Sequence, residues 1–156
     1  MKLSTNWINE HCGSKFTSSE LVNQLTMSGV ECEIIKQKNN KIIKFDITPN
    51  RADCFSVRGI VNELIAMGLI KQRKRVSQSA KVEHDSILKT KIITPKDCPV
   101  FATRIIKNIN SSARTPKDIK DKLKESGYKS INIIVDITNY VMLTLGQPLH
   151  AYDLKY

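Results

Sequence analysis

Leu21, Val22, Leu25 and Met27 spread over one helical face between a run of N-cap residues, Thr17, Ser18 and Ser19, and a stop at Gly29. With Glu20 in the first turn, the spacing predicts an amphipathic helix over 17–29. Val30 to Ile35 alternates weakly, as a strand does, and 36–40 is a polar turn. In the run 41–47, Ile43, Phe45 and Ile47 share one face and Lys44 and Asp46 the other, which predicts a second strand and hence a hairpin. Thr48-Pro49-Asn50-Arg51-Ala52-Asp53-Cys54 breaks it, because Pro49 cannot donate to a ladder and Asn50 and Asp53 favour turns or caps. Val57, Ile60, Val61, Leu64 and Ile65 then set the inward face of a helix from about Phe55 to Met67, ended by Gly68. Helix, hairpin and helix make a small α+β domain over 1–70.

The next stretch has no such period. Lys71-Gln72-Arg73-Lys74-Arg75 holds four basic residues in five and is followed by Ser and Gln, so 71–85 reads as a basic linker or as a phosphate-contacting patch built on Lys71, Arg73, Lys74 and Arg75. From Ser86 apolar residues return. Residues 87–93 and 100–109 read as two strands around a Pro95–Pro99 turn. Thr115-Pro116 predicts a helix over 117–126 with Pro at its first position, Ile119 and Leu123 inward and Gly127 as stop. Residues 131–135 are a short apolar run, and Asp136 or Thr138 is expected to cap a last helix ending near Gly146. Residues 86–156 therefore read as a second, incomplete domain of sheet and helices, and the fold class is α+β.

Composition narrows the function classes. At 40% hydrophobic and 26% charged residues the chain is of globular type. A net charge of +10 and a pI near 9.5 fit a polyanionic partner, although a lysine-rich solvated surface has the same composition. The four cysteines, at 12, 32, 54 and 98, form no CxxC pair and no zinc-ligand cluster, so buried reduced thiols are expected and no metal site. The first residues lack the apolar core of a signal peptide, and no apolar run approaches the ~18 residues of a membrane span, so a cytoplasmic protein without membrane association is expected. No Gly-rich phosphate loop, HExxH, GxSxG or calcium loop occurs.

The densest group of reactive side chains lies at the end, from Asp136-Ile137-Thr138-Asn139-Tyr140 to Gln147-Pro148-Leu149-His150-Ala151-Tyr152-Asp153. Taken alone, Asn139 and Thr138 read as cap or turn residues and His150 as a loop histidine. Arg51 is open to RNA, or pairs with Asp53 to fix the loop before the second helix.

Three stretches in order change this reading. Residues 21–31 (LVNQLTMSGVE), 48–54 (TPNRADC) and 135–153 (VDITNYV through QPLHAYD) resemble the start of the bacterial phenylalanyl-tRNA synthetase β subunit, and the resemblance covers nearly the whole chain. Members of that family carry a tRNA-associated oligonucleotide-binding domain inserted before the TPNRADC segment. Here Ile35 reaches Ile42 across a short polar turn, so the insertion is missing near 36–41 and the N-terminal domain is expected to close on itself. The domains that follow in the family lie beyond Tyr156.

The resemblance implies a component of an α/β enzyme that charges tRNA-Phe with phenylalanine, with ATP and Mg2+ serving the whole enzyme and no cofactor on this chain. It implies the α subunit as partner, and a cytoplasmic location. Thr138, Asn139 and His150 fall where the family lines a pocket that hydrolyses tyrosine mischarged onto the tRNA. Hydroxyl, amide and imidazole groups suit ester hydrolysis, which needs a held water and donors for an oxyanion. An acidic residue that reads the tyrosine hydroxyl in the family falls beyond this chain, so the pocket is partial and the isolated chain is expected not to catalyse. A free-standing tRNA- or RNA-binding module and a minimal deacylase of mischarged tRNA stand as alternatives.

Overall fold

The computed structural model describes residues 1–37, 40–71, 81 and 84–155. The chain forms two compact units, Met1–Arg73 with Ser111–Tyr156, and Lys74–Asn110.

In the larger unit, strand β1 (Lys2–Ser4) leads directly into helix α1 (Thr5–Cys12), followed by α2 (Ser18–Met27), β2 (Cys32–Gln37) and β3 (Asn40–Phe45). The sheet is antiparallel in the order β1-β3-β2, with Leu3 and Ile34 both opposite Ile43. Gln37 pairs with Asn40, the rung of the β2–β3 hairpin nearest its turn. The middle strand is covered on both faces: Ile43 and Phe45 join the main core, and Ile42, which alternates to the other side, is also buried.

The helix ends follow local chemistry. Thr17 and Glu20 form a capping box on α2, with Glu20 N–H donating to Thr17 Oγ1 (3.2 Å) and Thr17 N–H to Glu20 Oε2 (2.7 Å). The broken stretch after β3 is a 3-10 helix (Pro49–Cys54), and α3 (Val57–Ala66) starts at Ser56, whose Oγ accepts from Gly59 N–H at 2.9 Å. Sequence reasoning missed β1 and α1. A three-residue strand and an eight-residue helix carry too little periodicity to stand out, and α1 is held by burial of Trp7 and Ile8 in the core.

Helices α4 (Lys117–Glu125) and α5 (Ile133–Leu145) belong to the same unit, and their Leu123 and Leu143 lie in one core with Leu3, Trp7, Leu25, Phe45, Ile60 and Leu64. Pro116 occupies the N-cap of α4 rather than its first helical position. Helix α5 also starts earlier than expected. Its cap is Asn132, whose Oδ1 accepts from the N–H groups of Ile134 and Val135, so Asp136 and Thr138 lie inside the helix.

The described residues of the Lys74–Asn110 unit form no helix or strand, against the two strands expected over 87–93 and 100–109. An alternating pattern becomes a strand only with a partner ladder and a core to face. Ile87, Ile93 and Val100 are instead 83%, 83% and 79% exposed.

Candidate functional site

Asp136 is the buried polar centre of the α4–α5 region. Its carboxylate is inaccessible to solvent and accepts three hydrogen bonds, from Thr115 Oγ1 (2.6 Å), Ser130 Oγ (2.6 Å) and Ile131 N–H (2.9 Å). Burial pushes its pKa up; the bonds from Ser130, Thr115 and Ile131, with the charge of Lys120, outweigh it and hold the carboxyl below its ordinary value. One ionised side chain thus ties Thr115, ahead of the α4 cap, the loop 127–132 and the first turn of α5. Where a cap was expected, the structure has a hub. The Thr115, Ser130 and Asp136 positions carry no motif in sequence that would join them.

Thr138 and Asn139 follow on α5, half-buried, with Thr138 Oγ1 donating to Val135 O at 2.9 Å. Consecutive helical residues point about 100° apart, so the two do not share one face. His150 lies past the left-handed cap Gly146 (φ 79°), exposed, its ring stacked on that of Tyr152 with centroids 6.4 Å apart. No hydrogen bond joins Thr138, Asn139 and His150 to one another among the described residues.

Arg51 is engaged within the chain. Its Nε and Nη2 donate to Asp53 Oδ1 (3.1 Å) and Oδ2 (3.0 Å), and Nη2 reaches Glu63 Oε2 (2.6 Å) and Cys54 Sγ (3.1 Å). The bonds from Arg51 hold Asp53 below its ordinary pKa, while burial, then the bond to Asp53, pushes the Cys54 thiol up to about 11. Asp53, Cys54 and Glu63 offer three ligand atoms within 4.8 Å of one another. The guanidinium already supplies their positive charge and Cys54 is a neutral thiol, so the trio does not fit Mg2+, a cation of oxygen ligands. Lys71 is exposed; Arg73, Lys74 and Arg75 lie outside the described residues.

Residues 97–156 match the family described as B3/4 domain. The chain is 39% identical over 127 residues to the phenylalanine–tRNA ligase β subunit of Photorhabdus laumondii, an alignment covering 81% of this chain and 16% of the relative. The β subunit of Hahella chejuensis is 39% identical over 128 residues, with 81% and 16% covered. That of Neisseria meningitidis serogroup A is 42% identical over 115 residues, with 74% and 15% covered.

The chain is a relative of the phenylalanine–tRNA ligase β subunits. It spans about 16% of the length of the first two of those relatives. The B3/4 match takes in Asp136, Thr138, Asn139 and His150 but not Arg51 or Lys71. No helix among the described residues is long and apolar enough to cross a membrane.

Proposed function

We propose that this chain serves as the N-terminal portion of a phenylalanine–tRNA ligase β subunit, in a cytoplasmic complex with the α subunit that charges tRNA-Phe with phenylalanine. The observation that carries the reading is 39% identity over 81% of the chain to β subunits. Its role there is architectural. ATP and Mg2+ serve the whole enzyme rather than this chain, whose Asp53, Cys54 and Glu63 are already engaged by Arg51. We assign Thr138, Asn139 and His150 to a partial editing pocket that the chain alone does not assemble, since adjacent helical residues face different ways and no hydrogen bond joins the three among the described residues. Their hydroxyl, amide and imidazole groups are donors of the kind that ester hydrolysis requires.

Co-expression with the α subunit tests this. A stable complex is expected, together with aminoacylation of tRNA-Phe that depends on both chains. An α subunit that neither binds this chain nor changes its charging rate on addition would overturn the proposal. Hydrolysis of tyrosyl-tRNA-Phe by the isolated chain, abolished in His150→Ala and Asn139→Ala, would instead assign it a complete editing activity.

A further inference from the structure

Positive charge is concentrated outside the larger unit's core. Residues 71–110 hold ten Lys and Arg against three Asp and Glu, a net +7 of the chain's +10. Within the Lys74–Asn110 unit an open groove of about 670 Å3 runs between two irregular segments. Lys81 and His84 line it from one segment, Arg104 and Lys107 from the other. Ser86 N–H donates to His84 Nδ1 (3.2 Å), which leaves the ring hydrogen on Nε2. The groove therefore presents an ammonium, an imidazole N–H, a guanidinium and a second ammonium, opposed by the Asp85 carboxylate.

We infer that this groove binds the phosphodiester backbone of single-stranded RNA. Donors on both sides of an open channel match a chain of phosphates passing through it. Exposed Ile87, Leu88 and Ile106 line the same groove and offer contact surface to unpaired bases, whose faces a duplex would hide. An anionic membrane surface is the competing polyanion, but it is met by a helix with one apolar face, and the described residues from 84 to 110 form no helix. RNA as the polyanion rests on the proposed ligase role; the groove and its charge do not.

The test is fluorescence anisotropy of a labelled 20-mer oligouridylate with the full 156-residue chain at 50 and 200 mM KCl. Wild type is expected to bind with affinity that falls steeply with salt. K81Q/R104Q/K107Q is expected to bind at least tenfold more weakly at 50 mM, with a log–log salt slope shallower by about 2, since each phosphate contact on a single strand contributes about 0.7. K120Q/K124Q, on α4, should bind as wild type does. Because the three groove residues lie in a segment without regular structure, an unchanged circular dichroism spectrum is expected and checks that the variant folds. Wild-type affinity and slope in the triple variant would overturn the inference, as would capture by phosphatidylserine vesicles without oligouridylate binding. No α subunit is present, so this result and that of the co-expression experiment stand apart.

Discussion

Trp7 and Tyr140 stack almost parallel, ring centroids 5.5 Å apart at 9°, joining α1 near the start of the chain to α5 near its end. Lys122 Nζ sits 5.8 Å and 6.0 Å from the two ring centroids and donates to Glu10 at 2.6 Å. Burial works against the Lys122 charge; the bond to Glu10, with the charges of Glu10, Tyr140 and Asp118, outweighs it and raises the pKa. An aromatic stack is worth about 1 kcal/mol beyond burial and a cation over a ring a similar amount. Tyr140→Leu is therefore expected to lower the free energy of unfolding by about 1–2 kcal/mol in urea titration. Trp7 is the chain's sole tryptophan, and its buried Nε1 has no hydrogen-bond partner among the described residues, so its emission is expected to be blue-shifted and to change in the variant. A cycle of Tyr140→Leu with Lys122→Met should show a coupling of about 0.5–1 kcal/mol; additive effects would mean the cation and the rings act separately.

Asp136 makes stability depend on acid. Its carboxyl is held below its unfolded-state pKa, near 3.9. The stability it contributes is therefore complete above about pH 4–5 and is lost as pH falls through the lowered folded-state pKa. Asp136→Asn replaces an acceptor of three bonds by a group that accepts at one atom only, and is expected to cost about 3 kcal/mol near pH 7. Denaturant midpoints from pH 7 down to pH 2.5 should converge for wild type and variant. A gap that stays constant with pH would show that the ionised carboxylate is not what matters.

How much of this was legible depends on the range of the forces involved. The capping box Thr17/Glu20 and the alternation of Ile43 and Phe45 are written within a few residues, and both α2 and the hairpin follow from them. The break at Thr48–Cys54 and the pairing of Arg51 with Asp53 were equally local. Glu63 as a second partner of Arg51 was not, because it depends on where α3 packs. Asp136, an acidic residue ahead of an apolar face, reads locally as a cap; that Asn132 caps instead depends on Asp136 being held by Thr115, 21 residues away. The strands expected over 87–93 and 100–109 failed for the complementary reason: alternation states a preference for a sheet and supplies no neighbouring strand.

Gly59 is required by a close approach rather than by its own backbone angles. A Cβ there would stand 1.9 Å from Asp53 O and 2.9 Å from Cys54 Cα, both backbone atoms that cannot turn away. Those atoms belong to the loop that Arg51 clamps, so the collision falls on the contact between α3 and the TPNRADC stretch. Alanine favours a helix interior by about 1 kcal/mol. Gly59→Ala is nevertheless expected to destabilise by about 3 kcal/mol, because overpacking against backbone forces the loop to move. Thermal melts read this directly, and a Gly59→Ala variant as stable as wild type would place the loop farther from α3 than the structure does.

The four thiols should react in an order set by burial and charge. Cys54 is fully buried, donates to Asp53 Oδ2 at 3.4 Å and has its pKa pushed up to about 11, so almost none of it is thiolate at pH 8. Burial likewise raises the pKa of Cys32, which packs against α2 with its thiol 3.8 Å from Val22 O. Cys12 is also buried, whereas Cys98 is partly exposed. Reaction of the native chain with an aromatic disulfide at pH 8 is therefore expected to release one equivalent quickly, from Cys98, and Cys98→Ser should abolish that phase. The remaining three should appear only in denaturant. Arg51→Ala removes the cation that opposes the rise at Cys54 and loosens the loop around it, so the two effects act in opposite directions on its labelling. Loosening is expected to win, because access rather than ionisation limits a thiol with no exposed surface; faster labelling of Cys54 in Arg51→Ala, located by peptide mapping, is the outcome that identifies Arg51 as the clamp.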